Sequence, residues 1–316
     1  MSNYPVCSRT GLRLGLVLSG MLMASAASAA ASDWKGLLKL SVANDDNVTL
    51  TESNDVVASN ESDTFIDVLG TASRYLTGDK DNGVRLIGTL FNREYDTADG
   101  FDFTLLGAGL GYDRKLGDWN GRFEANYEYL EFGGDTYEKI LHLSAEGRHK
   151  FSKNTELRVR YRYSDINAPE DAYSNLEGDR HQLRFEGRFR SGKNRYRLSY
   201  TYEDNDRDDR TTMTTFSSSS PVRHTLRANA KIPLAEKWES EFDLRYRDSR
   251  YKDDNVSGGM STRRNDERFR AKATLKYKLD TKTKIFADYN HFDNDSNIDS
   301  FTYERNIVSV GISRFF

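Results

Sequence analysis

The chain has 316 residues, 30% charged and 37% hydrophobic, with a formal charge of -3 and a mean hydropathy of -0.76. With 17 Phe and 18 Tyr beside 4 Pro and a single Cys, the composition excludes a disordered polymer, a collagen and a disulfide scaffold. The near-neutral total shows none of the basic surplus that nucleic-acid binding requires.

Residues 1–30 read as a secretory signal peptide, removed before folding. Arg9 and Arg13 precede an apolar run from Leu14 to Met23, and Ala27-Ser28-Ala29 and Ala29-Ala30-Ala31 each offer a small-residue cleavage site. Cys7 stands ahead of the apolar run, so it is not the lipidated residue of a lipoprotein and leaves with the signal. Residues 31–316 remain as one domain without thiol chemistry.

Beyond the signal, no stretch approaches the roughly 18 to 20 apolar residues of a spanning helix. Period-two alternation recurs instead, which marks strands with one apolar and one polar face. From Gly117 to Tyr129, Trp119, Phe123, Ala125, Tyr127 and Tyr129 alternate with Arg122, Glu124, Asn126 and Glu128. From Thr155 to Tyr163, Leu157, Val159, Tyr161 and Tyr163 alternate with Glu156, Arg158, Arg160 and Arg162. Arg180 to Arg190, Arg195 to Glu203, Trp238 to Arg247 and Arg268 to Leu279 repeat the pattern.

Weaker copies run over Trp34 to Ala43, Thr64 to Leu76, Val84 to Glu94, Asp102 to Tyr112, Tyr137 to Phe151, Val222 to Ile232, Lys284 to Phe292 and Phe301 to Phe316. Together they predict fourteen strands, an even number. Short turns are expected at Gly78 to Asn82, Arg114 to Asp118, Ser152 to Asn154, Ser191 to Asn194, Pro233 to Lys237 and Asp280 to Thr283. Between them fall longer Asp-, Asn- and Ser-rich connections: Asn44 to Ser62, Ser164 to Asp179, Asp204 to Pro221, Lys252 to Arg264 and Asp293 to Ser300. Even strand number, hairpins, and short turns facing long loops describe an all-β, up-and-down antiparallel transmembrane barrel.

Hydrocarbon satisfies no backbone hydrogen bond, so such a wall must close on itself and turn its apolar face outward. The charged face is then the lumen. Trp119 and Trp238 at strand starts, and Tyr127, Tyr129, Tyr161, Tyr163, Tyr200, Tyr202 and Tyr246 toward strand ends, fit two interfacial girdles. Fourteen strands imply a lumen wider than that of an eight-stranded barrel and narrower than that of a sixteen-stranded porin.

The ending Val308-Ser309-Val310-Gly311-Ile312-Ser313-Arg314-Phe315-Phe316 resembles the terminal strand of Gram-negative outer-membrane barrels, with Arg314 departing from the usual apolar or Tyr position. That resemblance implies location in the outer membrane, contact with lipid and lipopolysaccharide, and recognition of the strand ending in Phe316 by the barrel assembly machinery. Ala43-Asn44-Asp45-Asp46-Asn47-Val48-Thr49-Leu50, after the first strand, resembles the opening of two kinds of barrel, in surface lipoprotein assembly modifiers and in exopolysaccharide-export proteins. From this second resemblance comes an alternative function: a barrel for export or assembly of a surface protein or polysaccharide, with a periplasmic partner.

On the seventh to twelfth strands, inward basic residues outnumber inward acids by about three to one. The candidate lumen residues are Arg158, Arg160, Arg162, Arg184, Arg188, Arg195, Arg197, Arg227, Arg245, Arg268 and Arg270. A narrow channel focuses the field of such a wall, and arginine ladders select anions. The expected function is therefore a passive channel for anionic solutes, in particular acidic oligo- or polysaccharide. The competing reading is a cross-barrel Arg to Glu lattice, or a plugged barrel, that only stiffens the wall; Glu124, Glu128, Glu138 and Glu146 supply its acids.

No motif assembles an active site, a metal centre or a cofactor site. His142, His149, His181, His224 and His291 are dispersed, with none at helical ligand spacing. Asp293 to Glu304 copies part of a calcium loop, but Ile298 stands where Gly is required and strands flank it. Acidic loop residues such as Asp45, Asp46, Asp165, Glu170, Asp171 and Glu177 suit a solvated rim or cation bridges to lipopolysaccharide.

Overall fold

The computed structural model describes residues 33–48, 61–211, 215–257 and 259–316. Residues 1–30, expected to be a signal peptide and containing Cys7, and most of the first long connection lie outside the described residues. The alternating stretches form β1 (Lys35–Asp45), β2 (Asp63–Gly78), β3 (Asn82–Tyr95), β4 (Phe103–Leu116), β5 (Trp119–Phe132), β6 (Asp135–Lys150), β7 (Thr155–Asn167), β8 (Gly178–Ser191) and β9 (Asn194–Arg207). Two short strands, β10 (Arg210–Thr211) and β11 (Thr215–Ser217), precede β12 (Pro221–Pro233), β13 (Trp238–Ser257), β14 (Met260–Lys278), β15 (Thr283–Ser296) and β16 (Tyr303–Phe315).

Each long strand pairs antiparallel with its neighbours in the chain, β9 passing directly to β12. β16 returns to β1 with Leu40 opposite Ile312 and Val42 opposite Val310, so the fourteen long strands close into a barrel without an edge. β10 and β11 stand outside that ring, β11 pairing with the far end of β13.

The outward face is the apolar one. Val42, Leu106, Leu110, Leu198, Phe242 and Val310 are all exposed, which only a hydrocarbon surround makes favourable at this density. At the short-turn end, Trp119 packs tilted against His149 at 5.1 Å and Trp238 against Tyr277 at 4.9 Å between ring centroids, forming the inner girdle.

At the other end the tyrosine hydroxyls reach polar groups on the next strand: Tyr161 to His181 and Tyr200 to His224, each 2.7 Å, and Tyr246 to Glu267, 2.8 Å. These pairs give amphipathic rings an apolar body in lipid and a satisfied hydroxyl at the interface. They also account for two histidines that sequence spacing left dispersed.

All six expected short turns are present between the paired strands. Asp280 caps one of them, its carboxylate accepting the N–H of Lys282 at 2.7 Å and of Thr283 at 2.8 Å, which holds its pKa below the usual carboxylate value.

One connection at the opposite end differs from expectation. Lys252 to Arg264 is not a long loop: β13 and β14 continue through it, with Asp254 opposite Arg263 and Asn255 opposite Thr262. Its Asp, Asn and Ser content reports exposure to water rather than loss of pairing, and Arg263 Nε bonds Asp254 at 2.9 Å across the hairpin. β5 and β6 meet in a tight turn at Gly133-Gly134, whose φ values of 59° and 92° a side-chain-bearing residue adopts only with strain.

The outer mouth is narrowed from inside. Val48, Phe65, Tyr95, Phe292, Tyr303 and Ile307 form one buried cluster, and Leu130, Tyr137, Ile140, Ile166 and Leu176 form a second. Within the first, Arg305 Nε donates to Asp45 at 2.9 Å, and the Tyr95 hydroxyl donates to the same carboxylate at 2.9 Å, all three groups being buried. This fixes the last strand against the first and third.

Candidate anion pathway

The lumen divides into two arcs of different chemistry. On β2 to β6, acids and bases balance. Asp113, fully buried, accepts from Arg122 Nε at 2.7 Å and the Tyr75 hydroxyl at 2.8 Å, and lies 3.5 Å from Arg148. Arg85 joins Asp113 to Glu124, and Arg148 reaches Glu146 at 3.5 Å. Three carboxylates thus face three guanidiniums across strand registers that alternation made coincide.

On β7 to β13 the balance fails. Arg184 is answered by Glu186 at 2.6 Å, and Arg227 by Asp243 at 2.8 Å. Arg158 pairs with Glu156 and stands 3.7 Å from Glu146; Arg188 pairs with Glu186. Asparagines take part of the load, Asn229 accepting from Arg197, Asn294 from Arg268 and Asn290 from Arg270, at 3.0, 2.9 and 2.9 Å. Arg195 sits exposed near the inner end of β9.

Arg160, Arg162 and Arg245 converge with Arg247 on a lumen cavity of about 210 Å³, which Arg184, Arg227 and the single acid Glu203 also line. Glu203 is already engaged by Arg223 at 2.9 Å and Gln182 at 2.6 Å. Arg160, Arg162 and Arg247 make no ion pair among the described residues, and the Nε of both Arg162 and Arg247 is sealed from solvent without an acceptor. Arg227 also borders a second cavity, of about 280 Å³, between β12 and β1. There Lys272 meets Asp288 at 2.8 Å and Lys276 meets Glu241 at 2.6 Å, beside Phe286 and Phe315. One guanidinium therefore belongs to both chambers.

Of the arginines singled out in the sequence, Arg160 and Arg162 line the smaller chamber without an ion pair, Arg245 lines it with a partner of its own, and the rest are engaged or peripheral. Arg247 was the omission: it ends an alternating segment, yet shares the inward parity of Arg245. A count along β7 to β14 also misses the acids of flanking strands, Glu146 and Asp288, which reduce the surplus.

A second constellation was not expected. His142 Nδ1 lies 2.8 Å from Ser164 Oγ and its Nε2 3.3 Å from Glu128, the order of nucleophile, base and acid. Ser164 is completely buried, however, so its hydroxyl reaches no substrate in the lumen.

The fold is a closed fourteen-stranded antiparallel β-barrel, similar to those of outer-membrane porins. A family model described as "Putative beta-barrel porin 2" matches residues 200–314. Among curated protein sequences there is no match. Among solved structures, the chain is similar to an anion-selective porin from Comamonas acidovorans, at 10% identity and a TM-score of 0.50, over 90% of this chain and 98% of that one. OmpT of Vibrio cholerae aligns at 11% identity and a TM-score of 0.48, over 90% and 97%. OccAB3 of Acinetobacter baumannii aligns at 10% and 0.42, over 90% and 99%. At 10% identity the likeness to the Comamonas porin speaks for the fold alone.

Proposed function

We propose that the barrel is a passive outer-membrane channel for anionic solutes, acidic oligosaccharide among them, rather than an enzyme. The observation that carries the reading is the cluster of Arg160, Arg162 and Arg247, which make no ion pair among the described residues, while Arg184, Arg223 and Arg227 beside them each have an acid. A lattice built only for rigidity needs no excess of one sign, because each unpaired buried charge opposes folding. The excess does serve a channel, since low-dielectric walls concentrate its field on a passing anion. The two chambers joined at Arg227 set the path, and the apolar clusters at the outer mouth favour slender solutes. The inaccessible Ser164 supports a channel over a hydrolase.

Proteoliposome uptake tests this. A uronate-bearing oligosaccharide should enter faster than a neutral one of equal length, and the preference should shrink as salt screens the arginines. Equal rates at low salt would contradict the proposal.

A further inference from the structure

The cavity at the arginine surplus has the attributes of a binding station rather than of a stretch of charged wall. Arginine does not shed its proton in proteins, so the charges of Arg160, Arg162 and Arg247 cannot be relieved by titration. Holding them together in a partly desolvated chamber is unfavourable unless a counter-charge occupies it. Glu203, the acid that lines the chamber, is already shared by Arg223, Gln182 and Asn205, and Glu128, the acid acting most strongly on Arg162, is engaged by His142.

One monovalent anion would leave most of the surplus unanswered. A group with two negative charges and several acceptor oxygens matches guanidinium forks arriving from both β7 and β13. The chamber, at about 210 Å³, is smaller than the roughly 300 Å³ at which pockets begin to enclose drug-sized molecules. It admits an anionic group, while the body of a larger solute would lie in the open lumen toward Arg227.

We infer that Arg160, Arg162 and Arg247 form a station for a tetrahedral dianionic oxyanion, of the phosphate or sulfate kind, free or as an ester on a larger solute. The inference rests on the anion-channel reading and names the chemical group the channel holds.

The test is calorimetric titration of the detergent-folded full-length mature chain with inorganic phosphate at low ionic strength and a pH of about 8, where phosphate is a dianion. Saturable binding is expected, weakened more than about tenfold in Arg162→Gln/Arg247→Gln. It should be partly restored in Arg162→Lys/Arg247→Lys, which keeps the charge and loses the fork. Arg263→Gln, on the outer hairpin, should bind as the unaltered chain does, and circular dichroism checks that each variant is folded. A sugar phosphate that binds more tightly than inorganic phosphate identifies the ester as the source of the group; a weaker one identifies the free ion.

Absence of saturable binding, or equal binding by the double Gln variant, overturns the station. A barrel that prefers anions in conductance yet binds no phosphate loses the station and keeps the channel. One that binds phosphate without anion preference keeps the station and loses the channel.

Discussion

The two lumen arcs use the same residue types to opposite ends. Around Asp113, arginines from β5 and β6 and a tyrosine from β2 converge on one buried carboxylate, and each charge has its complement within the wall. Around Arg247 the guanidiniums converge on one another, and the one carboxylate at hand is already taken. Sign balance, rather than charge density, separates a wall that holds itself together from a wall that waits for something to pass.

That contrast is breakable by substitution. The largest effect is expected at Asp113→Ala, which leaves several guanidiniums facing a buried gap. Removing one partner of a buried ion pair costs about 3 to 5 kcal/mol, so denaturant unfolding from lipid vesicles should show a loss of that order. A loss within experimental error would mean that the balanced arc is not what stiffens the wall.

A smaller effect of opposite sign is expected for Arg162→Gln or Arg247→Gln in buffer free of polyvalent anions. Either change relieves like-charge repulsion and should raise stability by about 1 kcal/mol. Destabilisation comparable to that of Asp113→Ala would make the second arc a lattice as well.

Strand count, face assignment and the six inner turns were legible in the sequence because each rests on local alternation and turn chemistry. The continuation of β13 and β14 through Lys252 to Arg264 was not, since a hairpin standing in water carries the same polar residues as a loop. The arginine arc was legible as a set of positions but not as a distribution of partners. Arg184 and Arg227 looked equivalent to Arg160 and Arg162 on inward parity, yet Glu186 and Asp243 stand within reach of the first two only. Glu186 lies two residues from Arg184 on the same strand and could have been paired with it from the sequence, whereas the Asp243 contact depends on register between strands, which no single strand encodes. The Ser164, His142 and Glu128 contact was hidden for the same reason, because its members come from three different strands.

The most direct test of the central claim is the reversal potential of the refolded barrel in a planar bilayer under a salt gradient, recorded for the unaltered chain, for Arg160→Gln/Arg162→Gln/Arg247→Gln, and for Arg148→Gln of the balanced arc. Anion preference in the first, its loss in the second and its retention in the third are the predicted results. No preference in the unaltered chain, or equal loss in both variants, would contradict the division of the lumen into a structural arc and a conducting one.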